Sequence, residues 1–265
     1  MDKTFFNTLV DIACNAGSAI MKVYSETDFE INTKTDESPV TLADMLSEAI
    51  IQQGLSAIDP LIPVLSEEAA EIPYETRQQW DRFWLVDPLD GTREFIKKNN
   101  EFTVNIALIE HGLPVAGIVH APALGLTYFA GREYGAYKVS SIGARPLAIR
   151  VSDYRSDTLR IVASRSHKDE KISEFLRAIG EAQYISMGSS LKFCLVAEGQ
   201  AHLYPRLGPT MEWDTAAAQC IVEEAGGTVV NLEGKRLSYN KSTLTNPFFV
   251  ASGKPSFPWW EYIQI

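Results

Sequence analysis

The chain opens with two stretches of helical period and changes, after residue 60, to the period of strands. Residues 4–24 set Phe5, Leu9, Ile12, Ala13, Ala16, Ile20 and Val23 at helical spacing. A polar stretch, INTKTDESP, follows. A second helix is expected near Thr41, behind Pro39, with Leu42, Met45, Leu46, Ala49 and Ile50 on its apolar face. IPVL at 62–65 reads as a short strand ending in Ser66, Glu67 and Glu68. FWLV at 83–86 is a continuous apolar run, as in a buried strand, stopped by Asp87 and Pro88. FTVNIALIE and PVAGIVHAP form a predicted hairpin turning at His111-Gly112, and LTYFA with GAYKV suggests another.

From residue 160 the pattern alternates. RIVAS, QYISMG and AHLYP read as strands, interleaved with helices over KISEFLRAIG, SLKFCLVAEG and DTAAAQCIVEEAGG. TVVNL and FFVAS close the chain as strands. Such a pattern predicts a layered α/β architecture. We divide it into an N-terminal α+β lobe, 1–150, and a C-terminal α/β lobe, 151–265, with a seam near 140–157 inside one compact catalytic unit.

The strand at 83–86 delivers Asp87 to its end, and Asp90 follows across a turn stiffened by Pro88. A turn of this kind can aim two carboxylates and a backbone carbonyl at one point, the donor set of a hard divalent cation. Gly91 permits close backbone approach, and the amides of Gly91 and Thr92 can receive a phosphate. Taken alone, the segment is equally well explained as a turn with an N-cap. Glu67, Asp214 and Asp44 change the balance, because each also stands at a predicted element boundary. The net charge of −10 repels nucleic acid polymers, and it requires local cations wherever a phosphate binds. Cys14, Cys194 and Cys220 are isolated, without any CxxC, as expected of small apolar residues in a reducing cytosol.

The segments Ser66-Glu67-Glu68, WLVDPLDGTREF and WDTAAAQCIVEEAGG together resemble the Mg²⁺-dependent, lithium-sensitive phosphatases of the inositol monophosphatase superfamily. Within it, SPVTLAD, GTREFIKKNNEFTVNIALIEHG, SRSH and GSSLKFCLVAEGQAHLYPRLGP are similar to the 3′(2′),5′-bisphosphate nucleotidase branch. The resemblance implies a five-layer α-β-α-β-α sandwich and two or three Mg²⁺ ions. The implied metal ligands are Glu67, Asp87, the Leu89 carbonyl, Asp90 and Asp214. Thr92 and Asp44 match the pair that orients and deprotonates the attacking water. Leu89, Asp90, Gly91 and Thr92 match the phosphate-binding turn, and Glu67 and Asp214 border the substrate. His167, Ser189, Lys192 and Arg206 match positions around the nucleotide, although each alone reads as an ordinary surface or turn residue. Ala69 departs from the aspartate common in close relatives, at a position that is not a ligand.

The implied reaction is hydrolysis of the 3′-phosphate of adenosine 3′,5′-bisphosphate to AMP, in sulfate assimilation. Inositol phosphates and sugar bisphosphates are the rival substrates, and a non-catalytic nucleotide or metal sensor is the rival of another class. His111, His120 and His202 are expected to be structural or exposed. The N-terminus lacks a signal layout, so a cytoplasmic location is expected; the aromatic C-terminus, Phe257 to Trp260, leaves a peripheral contact with the inner membrane open. Monomer and homodimer both remain open.

Overall fold

The computed structural model describes residues 1–26, 39–69, 72–140, 144–165 and 170–263. In chain order its elements begin with α1 (Lys3–Glu26), α2 (Pro39–Ile58), β1 (Val64–Ser66), α3 (Tyr74–Arg77), β2 (Arg82–Asp90) and α4 (Thr92–Ile96). The meander β3 (Thr103–Glu110), β4 (Leu113–Ala121), β5 (Leu126–Gly131), β6 (Gly135–Val139) and β7 (Leu147–Ala148) follows. The last part alternates: β8 (Arg160–Ser164), α5 (Glu170–Ile179), β9 (Gln183–Met187), α6 (Leu191–Ala197), β10 (Leu203–Arg206), α7 (Ala216–Glu224), β11 (Thr228–Asn231) and β12 (Phe249–Ser252).

Two sheets result. The first runs β1 to β7 in sequence order, with β1 parallel to β2 and every later pair antiparallel. The β3–β4 turn falls on His111 and Gly112, with φ of 49° and 74°. Two successive positive φ values match the right-handed strand twist, which explains the tight connection. The second sheet has the order β11-β12-β10-β8-β9, with β8 parallel to both β9 and β10. The strand–helix alternation demanded those parallel pairs, since a helix crossover is what joins parallel neighbours.

Side-chain alternation along β2 builds the layers. Trp84 and Val86 enter an apolar cluster with Phe6, Leu9 and Ile20 of α1, while Phe83 and Leu85 face Ala217, Ile221 and Leu195 of α7 and α6. The second sheet covers the other side of α6 and α7 through Phe249 and Ala251, and its outer face holds Ile161 and Val250 against Phe175 of α5 and Trp259. The order is therefore helix, sheet, helix, sheet, helix, the five-layer sandwich expected above. Helix α7 comes so near the first sheet that a Cβ on Gly117 would stand 2.3 Å from the Ala217 carbonyl oxygen. Only glycine admits that approach.

One expected face is reversed. Leu42, Met45 and Leu46 of α2 are 51%, 60% and 41% exposed, whereas Asp44 and Ser47 are buried at 7% and 0%. The helix turns a polar stripe inward because that stripe has partners there: the Ser47 hydroxyl donates to the Pro88 carbonyl at 2.8 Å, across the end of β2. Cys14 is half-buried, Cys194 and Cys220 are buried, and all three are free thiols. His120 and His202 are buried and His111 is exposed. Among the described residues no helix is long and apolar enough to cross a membrane.

Candidate active site

Alternation also aims the catalytic candidates. Asp87 has the same parity as Phe83 and Leu85, so it faces the layer of α6 and α7. Asn105 and Thr103 sit opposite Asp87 and Asp90 on β3, and the register slips between those two pairs. The slip bends the strand end, as a bulge does. Leu89 N donates to Asp87 Oδ1 at 3.1 Å and closes the turn. Gly91 then takes φ +94°, which favours glycine, and a Cβ there would sit tightly, 3.1 Å from the Glu101 carbonyl. Thr92 begins α4 directly after it.

Asp214 arrives from the α7 layer, ahead of the helix, with Met211 N donating to its Oδ2 at 2.8 Å. Carboxylate oxygens of Asp87, Asp90 and Asp214 lie within 4.8 Å of one another. Segments far apart in sequence thus meet at one point. Asp90 is held by Ser189 and Ser190: Ser189 Oγ donates to Asp90 Oδ2 at 2.8 Å and Ser190 N at 2.7 Å. Glu67 follows β1, the parallel neighbour of β2, and lines the same cleft.

Asp87, Asp214, Glu67 and Asp44 resist ionisation. Burial, then repulsion from Asp90, Glu67, Asp214 and Asp44, drives the Asp87 carboxyl well above the usual range. Burial and Asp90 push Asp214 up to about 7. Glu67, exposed as a residue but with its carboxyl turned against Asp87, is raised to about 6 by burial, Asp90 and Glu68. Burial and the neighbours Glu68, Glu67 and Glu48 lift Asp44 to about 8. A converging, oxygen-only set of this kind fits a hard divalent cation, which would relieve the repulsion. Asp87, Asp90 and Asp214 offer carboxylate oxygens close enough to share one, and Glu67 and Leu89 line the same cleft.

The cleft, about 270 Å³, continues past the acids to cationic side chains. Glu67, Asp87, Leu89, Asp90, Gly91, Thr92, Ser189, Lys192, Arg206 and Asp214 all line it. Asp44 is buried beside Asp87 rather than in the lining, and His167 lies outside the described residues. Lys192 is buried, donates to the Ser189 carbonyl at 2.5 Å and stands 5.4 Å from the Tyr204 ring centroid. Burial lowers its ammonium to about 8, against the pull of Asp90. Arg206, at the end of β10, donates to the Pro209 carbonyl at 2.9 Å.

Sequence reasoning missed the residues behind this lining. Ser190, Thr103 and Asn105 support Asp90, and the two strand residues were detectable as polar positions of one parity in the apolar run FTVNIALIE. Glu101 was missed too. It receives Arg165 at 2.7 and 2.8 Å and Gly188 N at 2.7 Å, pinning the turn after β8 to the approach to Ser189.

The chain is similar to known proteins over nearly its whole length. The inositol monophosphatase family matches residues 1–254. The 3′(2′),5′-bisphosphate nucleotidase CysQ of Escherichia coli K12 is 51% identical over 91% of this chain and 96% of its own. The protein of that name from Haemophilus influenzae is 35% identical over 100% of this chain and 98% of its own. The crystal structure of CysQ from Bacteroides thetaiotaomicron, 40% identical, superposes with a TM-score of 0.86 over 94% of this chain and 98% of that one. With a match along nearly its whole length, and relatives that span it almost completely, this chain belongs to the inositol monophosphatase family.

Proposed function

We propose that this chain is a Mg²⁺-dependent phosphatase that removes the 3′-phosphate of adenosine 3′,5′-bisphosphate, releasing AMP and phosphate. The observation that carries the reading is the meeting of Asp87, Asp90 and Asp214 within 4.8 Å, in a cleft that also contains Lys192 and Arg206. The acids suit a cation-neutralised phosphate, and the cations beside them suit a second anionic group. Relatives half identical to the chain carry the name 3′(2′),5′-bisphosphate nucleotidase, which supports that substrate.

Two or three Mg²⁺ ions would be held by Glu67, Asp87, the Leu89 carbonyl, Asp90 and Asp214. Bound there, they would neutralise the phosphoryl oxygens and make water more acidic. The amides of Gly91 and Thr92 orient the scissile phosphate. The Thr92 hydroxyl accepts a proton from the attacking water and passes its own to Asp44. Asp44, buried beside Glu68 and Glu67, takes up that proton in its carboxylate form. Water attacks phosphorus as the bond to the 3′ oxygen breaks, in line and without a covalent enzyme intermediate. Lys192, Arg206, His167 and Ser189 surround the nucleotide, with the cations on its 5′-phosphate end.

Phosphate release from adenosine 3′,5′-bisphosphate, inositol 1-phosphate and fructose 1,6-bisphosphate, each with Mg²⁺ and with or without Li⁺, tests this. The bisphosphate nucleotide should be turned over fastest and Li⁺ should inhibit. Faster turnover of either other ester would sink the substrate assignment. Lys192→Ala should raise KM at least tenfold for the nucleotide and change it little for inositol 1-phosphate.

A further inference from the structure

Among the described residues, every hydrogen bond to Asp90 falls on one oxygen. Oδ2 receives Ser190 N at 2.7 Å, Ser189 Oγ at 2.8 Å, Ser190 Oγ at 3.0 Å and Thr103 Oγ1 at 3.4 Å. With these donors crowded around it, Oδ2 is the poorer ligand for a cation and Oδ1 the better one. The side chain is thereby set as a one-oxygen ligand whose rotation is blocked from behind.

Ser190 has a second task. Its Oγ lies 2.8 Å from the Asp214 main-chain carbonyl and receives Asn105 Nδ2 at 3.0 Å. A hydroxyl has one hydrogen, so Asp90 Oδ2 and the Asp214 carbonyl share it, and Asn105 supplies the other contact. Asn105 is the cross-strand partner of Asp87. One buried oxygen thus touches Asp90 directly, the Asp214 backbone directly, and the neighbour of Asp87. Asp90 belongs to the first sheet, whereas Asp214 and Ser190 belong to the helical layer beside it. The cation site spans that seam, and Ser190 crosses it at the site itself.

We propose that Ser190 is a positioning residue that sets the gap between Asp90 and Asp214, and with it the affinity of the site for a divalent cation. This rests on the cation-holding reading of the cleft. Hydrogen-bond partners behind metal ligands typically alter metal affinity by about 10–100-fold when removed. Ser190→Ala keeps the Ser190 N and Ser189 bonds to Asp90, so its loss falls on the gap rather than on the orientation of Asp90 alone.

The test is calorimetric titration of the whole, metal-free chain with Mn²⁺, without substrate, alongside thermal unfolding in chelator to confirm the fold. Ser190→Ala should weaken Mn²⁺ binding about tenfold or more. Its kcat at saturating Mg²⁺ should stay within about threefold of the parent, a rescue that a general packing defect would not show. Ser190→Thr, which keeps the hydroxyl, should restore most of the affinity. If Ser190→Ala does not fold, Asn105→Ala, with the hydroxyl retained but its donor removed, is read in the same way and should shift affinity in the same direction. An Ala variant binding Mn²⁺ within twofold of the parent would overturn the proposal. A parent that binds no divalent cation would instead overturn the reading of the cleft.

Discussion

The acidic cluster should make the metal-free protein less stable than it need be, and Asp214→Asn measures by how much. The Asp214 carboxyl moves from an ordinary value of 3.8 to about 7 in the fold, through burial first and Asp90 second. A raised folded-state value means that the native protein binds more protons than the unfolded chain between those two points. Stability therefore falls as pH rises from about 4 to about 7 and stays low above that. At 1.36 kcal/mol per pKa unit, the ionised carboxylate costs the fold on the order of 4 kcal/mol at pH 8. Asparagine removes the charge and its oxygen can still accept from Met211 N, but its amide must be fitted against the crowded Asp87 and Asp90 carboxyls, at a cost of about 1–3 kcal/mol. The net gain expected in chelator at pH 8 is roughly 1–3 kcal/mol, or about 2–10 °C in Tm for a chain of this size. It should shrink as the pH falls toward about 4, where the electrostatic cost is nearly gone and the amide cost leaves the variant no more stable than the parent. Added Mg²⁺ should reverse the order, because only the parent keeps the full ligand set. Thermal unfolding of both proteins at pH 5, 7 and 8, in chelator and in Mg²⁺, gives the answer. A variant no more stable than the parent in chelator at pH 8, or a difference that does not shrink with acid, would refute the electrostatic account.

Asp44→Asn should lower kcat by about 10²–10⁴-fold while calorimetric Mg²⁺ affinity changes by less than about fivefold, since Asp44 is assigned to proton transfer and not to the cation. A loss of affinity matching the loss of rate would move it to the ligand set. Gly117→Ala should destabilise the protein by about 1–3 kcal/mol or more, read from denaturant midpoints, because its Cβ would meet the Ala217 carbonyl carried by α7. A neutral result would mean that the sheet and α7 separate more easily than their contact implies. Cation affinity measured without substrate should rise from pH 6 to pH 8, because Glu67 and Asp214 must shed protons held near 6 and 7 before they can ligate. Affinity flat over that range would contradict it.

Local order could be read from the residues because it depends on neighbours a few positions away. The periods of 3.6 and 2 located α1, the meander from β3 to β6 and the alternation from β8 to β10. Asp87, Asp90, Glu67 and Asp214 announced themselves by ending or preceding elements, and the family resemblance assigned their roles. What joins across layers was beyond that reach. Helix α2 carries an apolar stripe, Leu42-Met45-Leu46, that composition assigns to the core, yet it is exposed, and Asp44 and Ser47 are buried along with Ala43, Ile51 and Leu55. The choice lies with the end of β2, which offers Ser47 an acceptor and sets Asp44 near Asp87. The resemblance put Ser189 near the nucleotide but not its hydroxyl on Asp90, and Ser190 went unnoticed. A serine states its capacity for one donated and two accepted hydrogen bonds, but not which partners will stand within 3 Å. Those partners are set by the packing of α7 and α6 between two sheets, a long-range property of the whole chain.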